Sequence, residues 1–190
     1  MQFETLTRQR IESVYRTHLM RDFPKNERRR LAGILRAFDA GNYIAFALTE
    51  DGQVRCYAFL IRKDRDYLLD YLATAPACRN QGLGAQLLSR IRAALSDADV
   101  ILAEIEDADF AEAEPEKTLR LRRQGFYERC GFYDTGLRAE TFGVRYRLIA
   151  LSAAPQAAPL LRERYLALYR MALPEQIVRR FVRLADEPAV

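Results

Sequence analysis

The run from Tyr67 to Ile105 constrains the fold more than any other part of this chain. A β-rich stretch, Tyr67 to Thr74, leads into the loop Ala75-Pro76-Ala77-Cys78-Arg79-Asn80-Gln81. Leu83, Leu87, Leu88, Ile91 and Leu95 then recur at helical spacing, and Val100 to Ile105 reads as a second strand. A strand, helix, strand unit of this kind makes its two strands parallel and its crossover right-handed. The N-terminus of the helix that opens at Gly82 therefore belongs at the carboxyl end of the first strand, which sets a helix dipole at the mouth of a sheet.

The flanking sequence completes a mixed α/β pattern. Two amphipathic helices are expected near 4 to 21 and 26 to 39, separated by Pro24 and closed by Gly41. Tyr43 to Thr49 and Val54 to Arg62 are β-rich and joined by Glu50-Asp51-Gly52-Gln53, a hairpin signal, so the first three strands should form an antiparallel meander. An acidic loop, Glu106 to Glu116, precedes a helix near 116 to 130 that stops at Gly131, and a strand pair follows around 132 to 137 and 142 to 149. The expected architecture is a mixed, mostly antiparallel sheet with one parallel pair, flanked by helices. Beyond Leu151 the composition shifts to Ser152-Ala153-Ala154-Pro155-Gln156-Ala157-Ala158-Pro159, so residues 1–150 are read as one domain and 151–190 as a linker with a helical extension. Two short helices split by Pro174 carry the apolar stripes Leu161, Tyr165, Leu168 and Ile177, Phe181, Leu184, suited to packing on the domain or on a second subunit of a homodimer.

Composition narrows the function. Three cysteines, Cys56, Cys78 and Cys130, lack a C-x-x-C spacing and argue against a disulfide framework or a zinc site; the single histidine, His18, cannot supply a multi-histidine metal site. No metal is expected. Apolar stretches such as Tyr43 to Thr49 are far short of the roughly 20 residues that span a bilayer, and Met1-Gln2-Phe3-Glu4 is not a signal peptide, so a cytoplasmic protein without membrane association is expected. The formal charge of +4 is carried almost wholly by arginine. The basic run Lys25 to Arg30 opens a stretch with Leu31, Ile34, Leu35 and Phe38 at helical spacing, which reads as a solvated helix face rather than a nucleic-acid surface.

The chemistry concentrates at Arg79-Asn80-Gln81-Gly82-Leu83-Gly84-Ala85. Two glycines where a loop becomes a helix let a ligand approach the backbone closely, and the first N–H groups of a helix offer unpaired donors at the positive end of the dipole. Arg79 adds a fixed charge. On the residues alone, a tight packing turn and an anion cradle both fit. The spacing excludes the nucleotide-hydrolysing P-loop, G-x-x-x-x-G-K-[ST], and the dinucleotide fingerprint G-x-G-x-x-G, because Gln86 and Leu87 follow where the third glycine would stand.

The segment Asp70 to Gly84 resembles the strand-to-helix signature of the GNAT superfamily of acyl-CoA-dependent N-acetyltransferases, Arg/Gln-x-x-Gly-x-Gly/Ala, with Arg79, Gly82 and Gly84 in the signature positions and Leu72-Ala73-Thr74 before Pro76. A second family segment is similar to Phe126-Tyr127-Glu128-Arg129-Cys130-Gly131-Phe132. The resemblance spans about residues 1–150 in element order. It implies acetyl-CoA as co-substrate, its pyrophosphate on Arg79, Asn80, Gln81, Gly82, Leu83, Gly84 and Ala85 and its pantetheine on Leu72, Ala73 and Thr74. It further implies direct attack by the amine of a small molecule or protein, with Tyr127 as general acid to the leaving thiolate.

A base must deprotonate the attacking ammonium. Glu104 is the first candidate; Glu106, on the same strand face, and Asp70, on the neighbouring strand, are the other candidates and are also candidate substrate contacts, and the resemblance fixes no single base and leaves water open for the role. The acidic loop reads equally as a solvated loop or as an attractor for a cationic acceptor, and Arg122 and Arg123 as partners of these acids, as phosphate contacts or as a solvated face. The alternative is a CoA-binding sensor or interaction module that kept the fold without turnover.

Overall fold

The computed structural model describes residues 1–25 and 27–186. It is a mixed α/β fold of mostly antiparallel strands with one parallel pair, flanked by helices. The chain forms two compact units: Met1–Arg62 with Leu69–Asp97, and Lys63–Leu68 with the chain from Ala98 onward.

In the first unit the strand order is β1 (Gln2–Thr5), β2 (Tyr43–Glu50), β3 (Gln53–Lys63), β4 (Asp66–Thr74). The expected meander is β2, β3 and β4. Strand β1 replaces the first turn of the helix expected from residue 4: Phe3 stacks on Phe46 at 5.4 Å and Thr7 caps the helix that actually begins at Arg8, its side chain accepting from the Arg10 N–H. That helix runs as α1 (Arg8–Val14), a π-helical turn (Tyr15–Leu19) and α2 (Met20–Asp22). The second helix, α3 (Leu31–Asp39), starts later than expected; Asn26 lies outside the described residues, and the chain from 27 to 30 is not helical. Tertiary contacts override the helical spacing there. Arg29 gives its N–H to the Tyr71 hydroxyl at 2.7 Å, takes the Tyr15 hydroxyl on its carbonyl at 2.8 Å and pairs its guanidinium with Asp70. Arg29 is thus an internal ion-pair partner, not part of a solvated face. Helix α4 (Leu83–Ala94) buries Leu83, Leu87, Leu88 and Ile91.

In the second unit the order is β4, β5 (Val100–Glu106), β7 (Val144–Leu151), β6 (Tyr133–Thr141), β8 (Val182–Asp186). The parallel pairing of β4 and β5 starts where the Asp99 N–H donates to the Arg65 carbonyl at 2.9 Å. Helix α5 (Glu114–Arg129) packs on β5, and α6 (Ala158–Ala172) packs on β6. Helix α7 (Glu175–Phe181) leads directly into β8, which pairs antiparallel with β6 from Leu137 to Thr141. Residues after 151 therefore supply a strand as well as the two expected helices. Leu161, Tyr165 and Leu168 of α6 are buried within this unit, and Arg164 pairs with Asp66.

Candidate active site

Loop geometry prepares the N-terminus of α4. After a one-turn 3-10 segment, Pro76–Cys78, the chain turns through Asn80 at φ 62° and Gly82 at φ 76°, both left-handed. Gly82 is required there for conformation, not for packing: a Cβ on it would meet nothing within 4 Å. The space around the Cβ position of Gly82 is open. Arg79, Asn80, Gln81 and Gly82 are exposed, and the first intrahelical bond closes only at Gln86, whose N–H reaches the Gly82 carbonyl at 3.0 Å. The N–H groups of Leu83, Gly84 and Ala85 precede that bond and form the positive end of the dipole. Arg79 Nε donates to the Thr74 carbonyl at 3.4 Å, tying the loop to the end of β4, where Leu72, Ala73 and Thr74 are half-buried. Cys56 lies beneath that end, 3.3 Å from the Thr74 hydroxyl, and burial pushes its thiol up to about 11.

Asp70, one strand position before Tyr71, accepts Arg29 Nε on both oxygens at 2.9 Å and the Tyr43 hydroxyl on Oδ2. The pair is inside the unit, with the Arg29 side chain 14% and the Asp70 side chain 10% exposed. Burial, with the Asp70 charge beside it, holds the Tyr43 phenol well above its ordinary value.

Tyr127 is fixed by the way α5 ends. Gly131, at φ 92°, follows the last helical turn; its N–H bonds the Glu128 carbonyl at 2.9 Å and the Phe132 N–H bonds the Tyr127 carbonyl at 3.1 Å. These two bonds are the Schellman stop, which brings the residue after the glycine against the residue five positions back. The Phe132 and Tyr127 rings accordingly meet edge-on at 5.3 Å, with Phe126 at 5.0 Å on another side. Tyr127 is 8% exposed and lines a small depression with Ile105, Phe132, Asp134 and Ile149.

Glu104, at the centre of β5, is surrounded by hydroxyl groups. Its Oε1 accepts from Thr141 Oγ1 at 2.8 Å and from the Tyr165 hydroxyl at 2.5 Å, and its Oε2 from the Tyr169 hydroxyl at 2.8 Å. Glu106 instead pairs with Arg123 and, at 3.5 Å, with Arg120. The acidic loop is folded: Asp107, 3% exposed, pairs with Arg147 at 2.9 Å and Arg138 at 3.3 Å, Asp109 with Arg147 at 2.6 Å, and Glu116 with Arg120 at 2.7 Å. Arginines of the same unit offset much of its negative charge.

Sequence reasoning missed Arg29, Tyr165 and Tyr169. Tyr165 reads as a stripe residue because its ring is apolar, and Tyr169 lies outside that stripe; their i, i+4 spacing on α6, which aims two hydroxyls from one face, was the available signal. Among the described residues, no group of three or more His, Cys, Asp or Glu side chains is placed to hold a metal, and no helix is long and apolar enough to cross a membrane.

Gly82, which opens α4, and Tyr127, pinned where α5 stops, fall within one family match. The model of the GNAT acetyltransferase domain matches residues 40–134, half of the chain, and the protein belongs to that family. Solved structures agree on the fold. A GNAT-family protein from Bacteroides thetaiotaomicron superposes with a TM-score of 0.70 at 22% identity, covering 91% of this chain and 99% of that one. The ribosomal-protein-S18-alanine N-acetyltransferase from Escherichia coli gives 0.57 at 20% identity, covering 82% and 96%. The aminoglycoside 6'-N-acetyltransferase from Enterococcus faecium gives 0.59 at 14% identity, covering 82% and 99%. No curated protein matches in sequence.

Proposed function

We propose that the protein is an N-acetyltransferase that moves an acetyl group from acetyl-CoA to an amine by direct attack. The observation that carries the reading is the open, left-handed entry to α4 at Gly82, where the N–H groups that precede the first intrahelical bond, together with the exposed Arg79, suit a pyrophosphate. In this reading Asn80 to Ala85 receive the CoA phosphates, and the backbone of Leu72, Ala73 and Thr74 takes the pantetheine arm. An N–H of that strand polarises the thioester carbonyl and stabilises the oxyanion formed on attack. The tetrahedral intermediate collapses by breaking the carbon–sulfur bond. Tyr127 delivers its phenolic proton to the departing thiolate, and the second proton of the amine nitrogen, lost as the amide forms, restores the phenol. Glu104 removes the proton of the attacking ammonium. Asp70 and Glu106 receive a lesser part: each already holds an arginine, and each would contact the acceptor by exchanging that arginine for the substrate's ammonium.

The relatives supply the acceptor classes to try: their names state an alanine of a ribosomal protein, an aminoglycoside and spermidine. The test is a panel of such amines with acetyl-CoA, following release of free thiol and confirming the acetylated amine by mass. Thiol release dependent on one amine class is the expected outcome. CoA binding without transfer to any of them would favour the sensor reading instead.

A further inference from the structure

We infer that α6, outside the matched family segment, positions the catalytic carboxylate: Tyr165 and Tyr169 hold Glu104 ionised and fixed for proton abstraction. The inference rests on the acetyltransferase reading and on Glu104 as its base.

Each hydroxyl carries one proton. The Thr141 and Tyr165 protons converge on Oε1 and the Tyr169 proton on Oε2, which fills three of the carboxylate's roughly four lone-pair sites and leaves one on Oε2 to accept a proton. A protonated carboxyl would accept the same three bonds more weakly, because bonds to an ionised acceptor are the stronger ones. Hydrogen bonds to the charged form favour that form, so this arrangement selects the state competent to act as a base. The Thr141 and Tyr165 oxygens are also 3.1 Å apart, which closes the three groups into one cluster.

The donors are durable. Tyr165 and Tyr169 are buried, their rings 5.0 Å apart, and burial together with the Glu104 charge keeps the Tyr165 phenol well above its ordinary value, so it remains a proton donor throughout the working pH range. Thr141 is held in place at the end of β6 by its pairing with Val182 of β8, so the C-terminal strand supports the same cluster. From α6 the groups facing Glu104 are Tyr165 and Tyr169, and from β6 Thr141. On β7, Leu148 stands opposite Glu104 and Tyr146 opposite Glu106, the next carboxylate along β5, which is held by Arg120 and Arg123.

The test is steady-state kinetics across pH on an amine that the wild-type protein acetylates, using Glu104→Gln, Tyr165→Phe, Tyr169→Phe and the double variant Tyr165→Phe/Glu104→Gln, with melting temperatures measured alongside. Glu104→Gln should lower kcat about 10²-fold, the low end for a lost general base. Each tyrosine variant should lower kcat about 10-fold through misplacement of the base, with the KM for acetyl-CoA unchanged. It should also move the acidic limb of kcat/KM to higher pH, because losing a donor raises the pKa of the carboxyl. Adding Tyr165→Phe to Glu104→Gln should cost nothing more, since the tyrosine acts only through the glutamate. Tyrosine variants that melt earlier but keep the wild-type kcat and acidic limb overturn the inference and leave α6 as packing. Wild-type kcat in Glu104→Gln removes the base, and the inference with it, while the acetyltransferase reading stands. Failure of the wild type to acetylate any amine overturns the reading itself.

Discussion

Replacing Gly82 separates the phosphate cradle from the fold. The residue sits at φ 76°, and its missing Cβ faces open space, so a side chain there costs conformational energy without a clash. That cost is about 1 kcal/mol for an L-residue held left-handed, and it is shared by Gly82→Asn and Gly82→Asp, which have nearly the same shape. Both variants should therefore melt a few degrees early, at about 2 to 4 °C per kcal/mol for a chain of this size. They differ in charge. A carboxylate about 4 Å from a phosphate is opposed by about 1 kcal/mol in bulk water and about 4 at a protein-surface dielectric. Gly82 is exposed, so an intermediate value of about 2 kcal/mol, or about 30-fold in Kd, is the expectation. Acetyl-CoA at one hundred times the wild-type Kd adds about 2.7 kcal/mol, a rise of roughly 5 to 10 °C. At a 30-fold weaker Kd the same concentration adds about 0.9 kcal/mol, a rise of only about 2 to 3.5 °C. Differential scanning fluorimetry reads both effects in one experiment, and Ser89→Asp, further along an exposed face of α4, should keep the full shift. Equal acetyl-CoA shifts for Gly82→Asp and Gly82→Asn would refute the cradle.

Three further outcomes are expected. Tyr127→Phe preserves the ring contacts with Phe126 and Phe132, so acetyl-CoA affinity should hold while kcat falls on the order of 10²-fold; wild-type turnover with chemistry rate-limiting would remove the general-acid role. Asp107→Asn removes one carboxylate from Arg138 and Arg147, which keep Asp134 and, for Arg147, Asp109, so denaturant titration should show a loss of about 2 kcal/mol, that of a charged hydrogen bond rather than of an orphaned charge; a loss under about 0.5 would mean solvent already screens it. Cys56 should resist iodoacetamide in the native protein at pH 8 and react once unfolded. Because its folded pKa is raised to about 11 against an unfolded value of about 8.5, its contribution to stability is full below about 8.5 and lost as pH rises toward 11, a fall that Cys56→Ala should reduce.

Periodicity made most of the fold legible. Alternating and continuous apolar runs located β2, β3, β4 and β5, and helical spacing located α4 to within a residue, because these elements are buried and their patterns are undiluted. What stayed hidden depended on contacts distant in sequence. Gln2–Thr5 is too short to show a period and is a strand only because β2 offers it an edge. The segment before α3 has helical spacing on paper, but the Tyr15, Asp70 and Tyr71 side chains draw Arg29 into a network that no local pattern encodes. Strand β8 is likewise a tertiary product, since Leu184 reads as the last position of a helical stripe until β6 pairs with it.

The two family segments turn out to be helix termini used in opposite ways. At the start of α4 a left-handed glycine opens a first turn whose N–H groups precede the first intrahelical bond, which suits a bound anion. At the end of α5 a left-handed glycine does the reverse, consuming carbonyls in a Schellman stop and locking the tyrosine five residues before Phe132 into an aromatic corner. Both could be read from glycine placement because each is a local device. Glu104 differs in kind. The chemistry proposed for it depends on hydroxyls from residues 141, 165 and 169, and all three lie beyond the segment that the family model matches, 40–134. In this chain, then, the family segment holds the groups proposed to bind CoA and release its thiol. The environment of the proposed base is built by the C-terminal elements.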